Sequence, residues 1–253
     1  MTFQYASDLH LEFPKNKEFI AAHPIVPGAD VLLLAGDIVP FCEMEKHHDF
    51  FDYLSDHFEK TYWVPGNHEY YGFDLADKCG TFNEAIRHNV FLVNNTSLVV
   101  KDVKLIFYTL WSKISEESTN FIQQQLNDFR NINYKNKPLT VADYNGYHKE
   151  SLHFLERELS LSKHPKKVVV THHAPTFRNY PLHYLNSPLN EAFATELDGM
   201  IENTQPAFWI YGHHHYNTRD FNIGNTWLLT NQLGYVDYDE HYNYYNNKTF
   251  SIE

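Results

Sequence analysis

The sequence is short of cysteine, with only Cys42 and Cys79 among 253 residues. No CxxC pair exists, which excludes a cysteine zinc site. So few thiols fit a reducing compartment better than a disulfide framework, and one Cys42–Cys79 bond stays open. Long apolar runs are also missing. None approaches the roughly 20 residues that a membrane-spanning helix needs. The start, "MTFQYASDLH", shows no basic stretch leading into an apolar one, so no signal peptide is visible. These absences predict a cytoplasmic protein with no membrane partner. Positive charge is scarce: 20 Lys and Arg stand against 32 Asp and Glu, for a net charge of −12. That balance argues against general nucleic-acid binding, which uses Lys/Arg stripes. It leaves a phosphate substrate open, because bound cations reverse the local sign. No GxxxxGK phosphate loop and no serine or cysteine nucleophile motif occurs.

What is present is an ordinary globular composition, 43% hydrophobic and 16% aromatic. The length suits one domain over residues 1–253. Short apolar runs read as buried strands: "FQYAS" (3–7), "VLLLA" (31–35), "TYWV" (61–64), "VFLV" (90–93), "VKLIFYTL" (103–110), "KVVVT" (167–171), "AFWIYG" (207–212) and "TWLLT" (226–230). Helices are expected at 43–60, 147–162 and 190–204, where apolar residues fall on one stripe. Strands alternating with helices predict α/β layers. Residues 111–146 are polar and only partly periodic, which reads as an insert or lid with one short helix near 117–128. The end of the chain, "VDYDEHYNYYNNKTFSIE", fits either a final strand or an ordered tail.

The chemistry sits just past the apolar runs. Asp8 and His10 follow the first ("DLH"), Asp37 the second ("GD"), and Asn67 and His68 the third ("GNHE"). His172 and His173 follow "KVVVT", and His213, His214 and His215 follow "AFWIYG". In α/β sheets, ligand sites lie outside the carboxyl ends of strands, so the five sets should converge. Carboxylates, imidazoles and an amide without thiolate suit Mn, Fe, Zn, Ni or Co. So many ligands suit two ions about 3.5–4 Å apart, bridged by one carboxylate. Gly36, Gly66 and Gly212 each precede a candidate ligand, where tight turns are expected.

In order and together, "DLH", "GD", "GNHE", "HH" and "GHHH" resemble the five signature blocks of the calcineurin-like metallophosphoesterases. "SDLHLEF", "LLLAGDI", "THHAP" and "TNQLGY" are similar to a bacterial branch of that family. The resemblance implies a four-layer α/β/β/α sandwich of two mixed sheets flanked by helices, with a dinuclear metal site at the strand ends. It implies two divalent cations, with manganese favoured. Asp8, His10 and His215 would hold the first, Asn67, His172 and His213 the second, and Asp37 would bridge them. Within "GHHH" the outer pair matches the family, and on an extended segment residues two apart face the same side. His214 should then point elsewhere. The implied reaction is hydrolysis of a phosphomonoester or phosphodiester by hydroxide bridging the ions. His68 would assist the leaving group, a role that suits an imidazole near neutral pH.

Around this centre, Arg130 is a candidate phosphate contact, and Trp111, Tyr70, Tyr71, Tyr180, Tyr184 and Tyr235 are candidate pocket walls. His173 is a candidate for holding a ligand in place or for a structural role, with contact to substrate as the lesser alternative. A non-catalytic scaffold on the same fold is the alternative; loss of Asp37 or His68 would signal it, and both are present. An amidohydrolase would place HxH early and a carboxylate late, the reverse of this order. A protein phosphatase would show arginines beside "GDIVPFC" and "GNHEYYG", which lack them, so the expected partner is a small phosphate ester.

Overall fold

In "KVVVT", Val168 and Val170 belong to one apolar cluster and Val169 to another. That alternation, repeated across two sheets, builds the layers. The computed structural model describes residues 1–160 and 164–253. Its strands are β1 (Thr2–Ala6), β2 (Val31–Ala35), β3 (Lys60–Val64), β4 (Phe73–Asp74), β5 (Phe82–Arg87), β6 (Val90–Asn94), β7 (Thr96–Val100), β8 (Val103–Tyr108), β9 (Ile132–Tyr134), β10 (Lys137–Pro138), β11 (Lys167–Thr171), β12 (Phe208–Ile210), β13 (Phe221–Ile223), β14 (Thr226–Leu229) and β15 (Thr249–Ser251). Its α-helices are α1 (Pro14–Ala22), α2 (His48–His57), α3 (Glu116–Gln125), α4 (Asp128–Asn131), α5 (Val141–Ser160) and α6 (Asp198–Thr204).

One six-stranded sheet runs β15-β1-β2-β3-β6-β5 and the other β13-β14-β12-β11-β8-β7. In both, the four central strands are parallel and the two edges antiparallel. Phe3, Tyr5, Leu33, Leu105, Phe107 and Val170 fill the space between the sheets. The opposite face of the first sheet, through Leu32, Leu34 and Trp63, packs on Ile20 of α1 and on Phe51 and Leu54 of α2. The opposite face of the second, through Ile106, Val169 and Trp209, packs on Phe154, Leu155 and Leu159 of α5 and Ile201 of α6. The result is the expected four-layer α/β/β/α sandwich. Parallel centres put the carboxyl ends of β1, β2 and β3, and of β11 and β12, along one edge.

Several expectations shift. Residues 190–204 do not form one helix. Asn190–Ala192 is a short 3-10 turn, Ala194 bridges Ala174, and only α6 is α-helical. The Ala174 and Thr195 amides bond across this bridge to the Phe193 and Ala174 carbonyls, which takes the backbone out of the helix. The 43–60 helix is a 3-10 segment, Phe41–His47, followed by α2. The 147–162 helix begins earlier, at Val141; its last two expected residues lie outside the described ones. The stretch 111–146 carries two helices, α3 and α4, the β9–β10 pair and the start of α5. Its Trp111, Ile122, Phe129 and Tyr144 join the same apolar cluster as Leu32 and Trp63. The last residues end in β15, an edge strand beside β1. Cys42 and Cys79 are both unpaired and exposed. Among the described residues, no helix is long and apolar enough to cross a membrane.

Candidate metal centre

Three of the five loops at this edge, those after β1, β2 and β12, leave their strands by an abrupt turn. Asp8, His10, Asp37, His213 and His215 all have positive φ, at 55°, 47°, 55°, 80° and 51°. For residues with a side chain this region is costly, and such strain gathers at functional sites. Local hydrogen bonds hold it: the Asp8 amide donates to the Gly36 carbonyl (2.9 Å), His10 to the Asp37 carbonyl (3.0 Å), and His213 to Asp8 Oδ1 (2.9 Å). Gly36 also has positive φ, at 89°, so its freedom is needed. Gly66 is required for space rather than for its turn. A Cβ there would lie 2.1 Å from Asp37 Oδ1 and 2.7 Å from the His172 ring.

The donor atoms fall into three groups, of which two share Asp37: Asp8, His10, Asp37 and His215, and Asp37, His172 and His213; the third is His10, Glu12 and His68. In the first, His10 Nε2 is 2.9 Å from His215 Nε2, and His215 Nε2 is 3.5 Å from Asp8 Oδ1. In the second, His172 Nε2 is 3.0 Å from His213 Nδ1 and 3.1 Å from Asn67 Oδ1. Between them lies Asp37 Oδ2, 3.3 Å from His172 Nε2 and 3.7 Å from His10 Nε2. This oxygen is buried and has no hydrogen-bond partner. A buried carboxylate oxygen without a partner, facing converging imidazole nitrogens, fits divalent cations on both sides of it.

The far nitrogen of each of these four histidines meets an acceptor. His10 Nδ1 faces Glu12 Oε1 (3.2 Å), His172 Nδ1 the Ala35 carbonyl (2.9 Å), His213 Nε2 the Ala192 carbonyl (3.3 Å) and His215 Nδ1 Glu240 Oε2 (2.8 Å). A proton on the far nitrogen leaves the near one a free lone pair aimed at the centre. Asn67 is oriented the same way: its Nδ2 donates to Asp128 Oδ1 (2.9 Å), which turns its Oδ1 toward His172. Beneath Asp37, Glu69 accepts from the amides of Asp37, Ile38 and Gly66 and from Trp63 Nε1. Burial and the Asp37 charge push its carboxyl up to about 8.

His68 stands at the mouth of the centre. Its amide donates to Asp37 Oδ1 (2.9 Å) and its ring stacks on Tyr71, with centroids 4.1 Å apart. Nδ1 faces Glu12 Oε1 (3.0 Å), the oxygen that also faces His10, and Nε2 lies 3.3 Å from Tyr235 Oη. Burial opposes charging of this ring, but Asp37 and Glu12 outweigh it and lift its pKa to about 9. A cavity of about 280 Å³ opens here, lined by Asp37, Asn67 and His68, by Gln125 to Asp128, and by aromatic residues including Tyr71, Phe193 and Tyr235.

All seven expected ligands and His68 are therefore brought together. The reason given for the outer pair of "GHHH" needs correcting. The segment is not extended, and the left-handed turns at His213 and His215 are what direct these two rings inward. His214 turns away, against Gln232 Nε2 (3.2 Å) and the rings of Tyr180 and Tyr211. Burial, with His215 adding to it, holds its pKa down at about 3, so it stays neutral. His173 lies behind the centre, between the Thr109 carbonyl and Tyr144 Oη. Arg130 is exposed, bonds the Gln124 carbonyl and does not line the cavity. Trp111 and Tyr70 are buried in the core, and Tyr180 lines a neighbouring groove, whereas Tyr71, Tyr184 and Tyr235 line the cavity. Glu12, Asp128 and Glu240 were not anticipated. Glu12 lay in plain view two residues after His10, but Asp128 and Glu240 come from distant loops with no local motif.

Two sheets thus bring a carboxylate, imidazole and amide donor set to one edge, where it could hold metal ions. Residues 1–217 match the profile of the calcineurin-like phosphoesterases. An uncharacterised protein of Acanthamoeba polyphaga mimivirus is 34% identical over 96% of this chain and 94% of its own. The crystal structure of phosphopantetheinyl hydrolase from Mycobacterium tuberculosis is similar with a TM-score of 0.69, at 18% identity over 98% of this chain and 95% of its own. The chain belongs to the calcineurin-like phosphoesterase family, whose members depend on metal ions.

Proposed function

We propose that this protein hydrolyses a small phosphomonoester or phosphodiester with two divalent cations, and that manganese serves best. The observation that carries the reading is Asp37 Oδ2, a buried acceptor left without a partner between two sets of inward-facing donors. Asp8, His10 and His215 would hold one ion, Asn67, His172 and His213 the other, and Asp37 both. Such ions supply Lewis acidity, generating the nucleophile from water at neutral pH and neutralising phosphoryl oxygens. The protein does the positioning. Glu12, Glu240 and the Ala35 and Ala192 carbonyls fix which imidazole nitrogen faces inward. Asp128 fixes the Asn67 amide.

His68 acts on the substrate in this account. Glu12 holds its Nδ1 and Tyr71 its ring plane, so Nε2 is the atom presented to the cavity. A proton held there passes to the departing ester oxygen. Leu126, Leu189 and Phe193 line the same space and limit water beside the reacting group. The test is steady-state hydrolysis of 4-nitrophenyl phosphate and bis(4-nitrophenyl) phosphate by manganese-loaded protein. On an alkyl phosphate, whose alkoxide leaving group needs the proton, His68→Ala should keep its metal content and lose about 10²–10⁴-fold in kcat. Full activity in that variant removes His68 from the reaction. No hydrolysis of either ester, or of any other phosphate ester tried, contradicts the activity.

A further inference from the structure

The cavity at the metal centre has an uneven charge. Three carboxylates beyond the proposed ligands stand at it or against its histidines: Asp128 and Glu240 in its wall, and Glu12 behind His68. Each is pinned. Glu240 Oε2 accepts from His215 Nδ1 and from the Tyr235 amide (2.6 Å). Asp128 Oδ1 accepts from Asn67 and from Tyr71 Oη (2.8 Å). None can swing out of the way without breaking these bonds. Among the described residues, no Lys or Arg lines the cavity. Arg130, the nearest in sequence to its wall, is turned to the Gln124 carbonyl. Lys15 is paired with Asp237 at 2.8 Å, and Arg219 and Lys248 line a separate groove beside Tyr216. Beside the site residues, the wall holds Tyr71, Tyr184, Tyr235, Phe193, Leu126 and Leu189, with the uncharged Gln125 and Asn127.

A phosphate ester brings at least one negative charge, and cations at the two donor sets would meet the phosphoryl group being cleaved. A second phosphate or a carboxylate beside it would meet no Lys or Arg, and His68, the ring there whose pKa is lifted to about 9, is already paired with Glu12. The second anion would face fixed carboxylates in a confined space, where like charges repel more strongly than in open water. The aromatic and aliphatic wall offers contact to an uncharged body instead. From this placement we infer that the site selects phosphate esters bearing a single phosphoryl group on an uncharged, partly apolar body. It rejects those with a second anionic group next to the first. The inference rests on the phosphoesterase reading above and narrows its substrate class.

Competition separates the two. Manganese-loaded protein turning over whichever chromogenic ester it accepts is challenged with propane-1,3-diol monophosphate and with the corresponding bisphosphate. The monophosphate should inhibit with a Ki about tenfold lower or better, and added salt should narrow the gap as it screens the carboxylates. Gln125 is exposed on the cavity wall, at the end of α3, and holds no ligand. Gln125→Lys should lower the bisphosphate Ki at least about threefold more than the monophosphate Ki, because it supplies the missing cation to the anion that carries the extra charge. A bisphosphate that binds as tightly as the monophosphate overturns the inference while leaving the phosphoesterase standing. An unchanged ratio in Gln125→Lys overturns its electrostatic cause. Failure to hydrolyse any ester instead removes the reading on which it rests.

Discussion

Replacing Asp128 with alanine takes one acceptor away from two neighbours of the metal centre. Asp128 Oδ1 receives both Asn67 Nδ2 (2.9 Å) and Tyr71 Oη (2.8 Å), and the residue is fully buried. Without it the Asn67 amide is free to rotate, and its oxygen is no longer held toward His172. Tyr71, which stacks on His68, loses its anchor as well. Removing a partner of this kind weakens metal affinity or activity by about 10–100-fold, or about 1.4–2.7 kcal/mol. Stability should fall too. Two stranded donors cost about 1–3 kcal/mol each, offset in part because the change also removes a carboxyl that burial pushes above its ordinary pKa. The assay is calorimetric titration of Mn²⁺ into metal-free protein. Asp128→Ala should weaken one of two binding events about 10–100-fold and spare the other. Asp128→Asn, which keeps a carbonyl acceptor, should recover most of the loss. Two unweakened events in Asp128→Ala would refute the idea that this loop orients the Asn67 ligand.

Other outcomes follow from the same geometry. By elemental analysis, His214→Ala should retain both ions, because that ring faces Tyr180 and Tyr211, whereas His213→Ala should lose one. Gly66→Ala should abolish metal binding, since its Cβ would fall on Asp37 and His172. Gly146→Ala, inside α5 with nothing within 4 Å of the added carbon, should instead gain about 1 kcal/mol and raise Tm by about 2–4 °C in a thermal melt. A chelator should lower Tm by about 10–20 °C, because each of two ions at 100 times its Kd contributes about 2.7 kcal/mol to a chain of this size.

The sequence was most legible where the chain is buried on both faces. All eight apolar runs are strands, because a central parallel strand needs apolar residues in both directions, as "VLLLA" and "KVVVT" have. Edge strands escaped. β5, "FNEAIR", is largely exposed, and β7, "TSLVV", has no fully buried residue, so neither carries a continuous apolar signal. α1 was missed for a related reason: it buries only Asn16 and Ile20. The 190–204 error came from reading an apolar stripe as a helix where tertiary bridging to Ala174 prevails. At the site, the eight polar residues that end up together were visible because each directly follows a buried strand. The groups that aim them were not. Asp128 and Glu240 reach His and Asn side chains from 61 and 25 residues away in sequence, and nothing local marks them. The strained φ angles at Asp8, Asp37 and His213 likewise follow from loop closure in three dimensions.

The most direct measurement counts metal. Protein reloaded with Mn²⁺ and freed of excess is analysed for ions per chain, beside Asp37→Ala treated identically. About two ions per chain are expected in the parent, and a loss of metal with the loss of Asp37, because its carboxylate belongs to both donor sets. An ion-free parent after reloading, or a variant that keeps two ions, would contradict a centre bridged by Asp37.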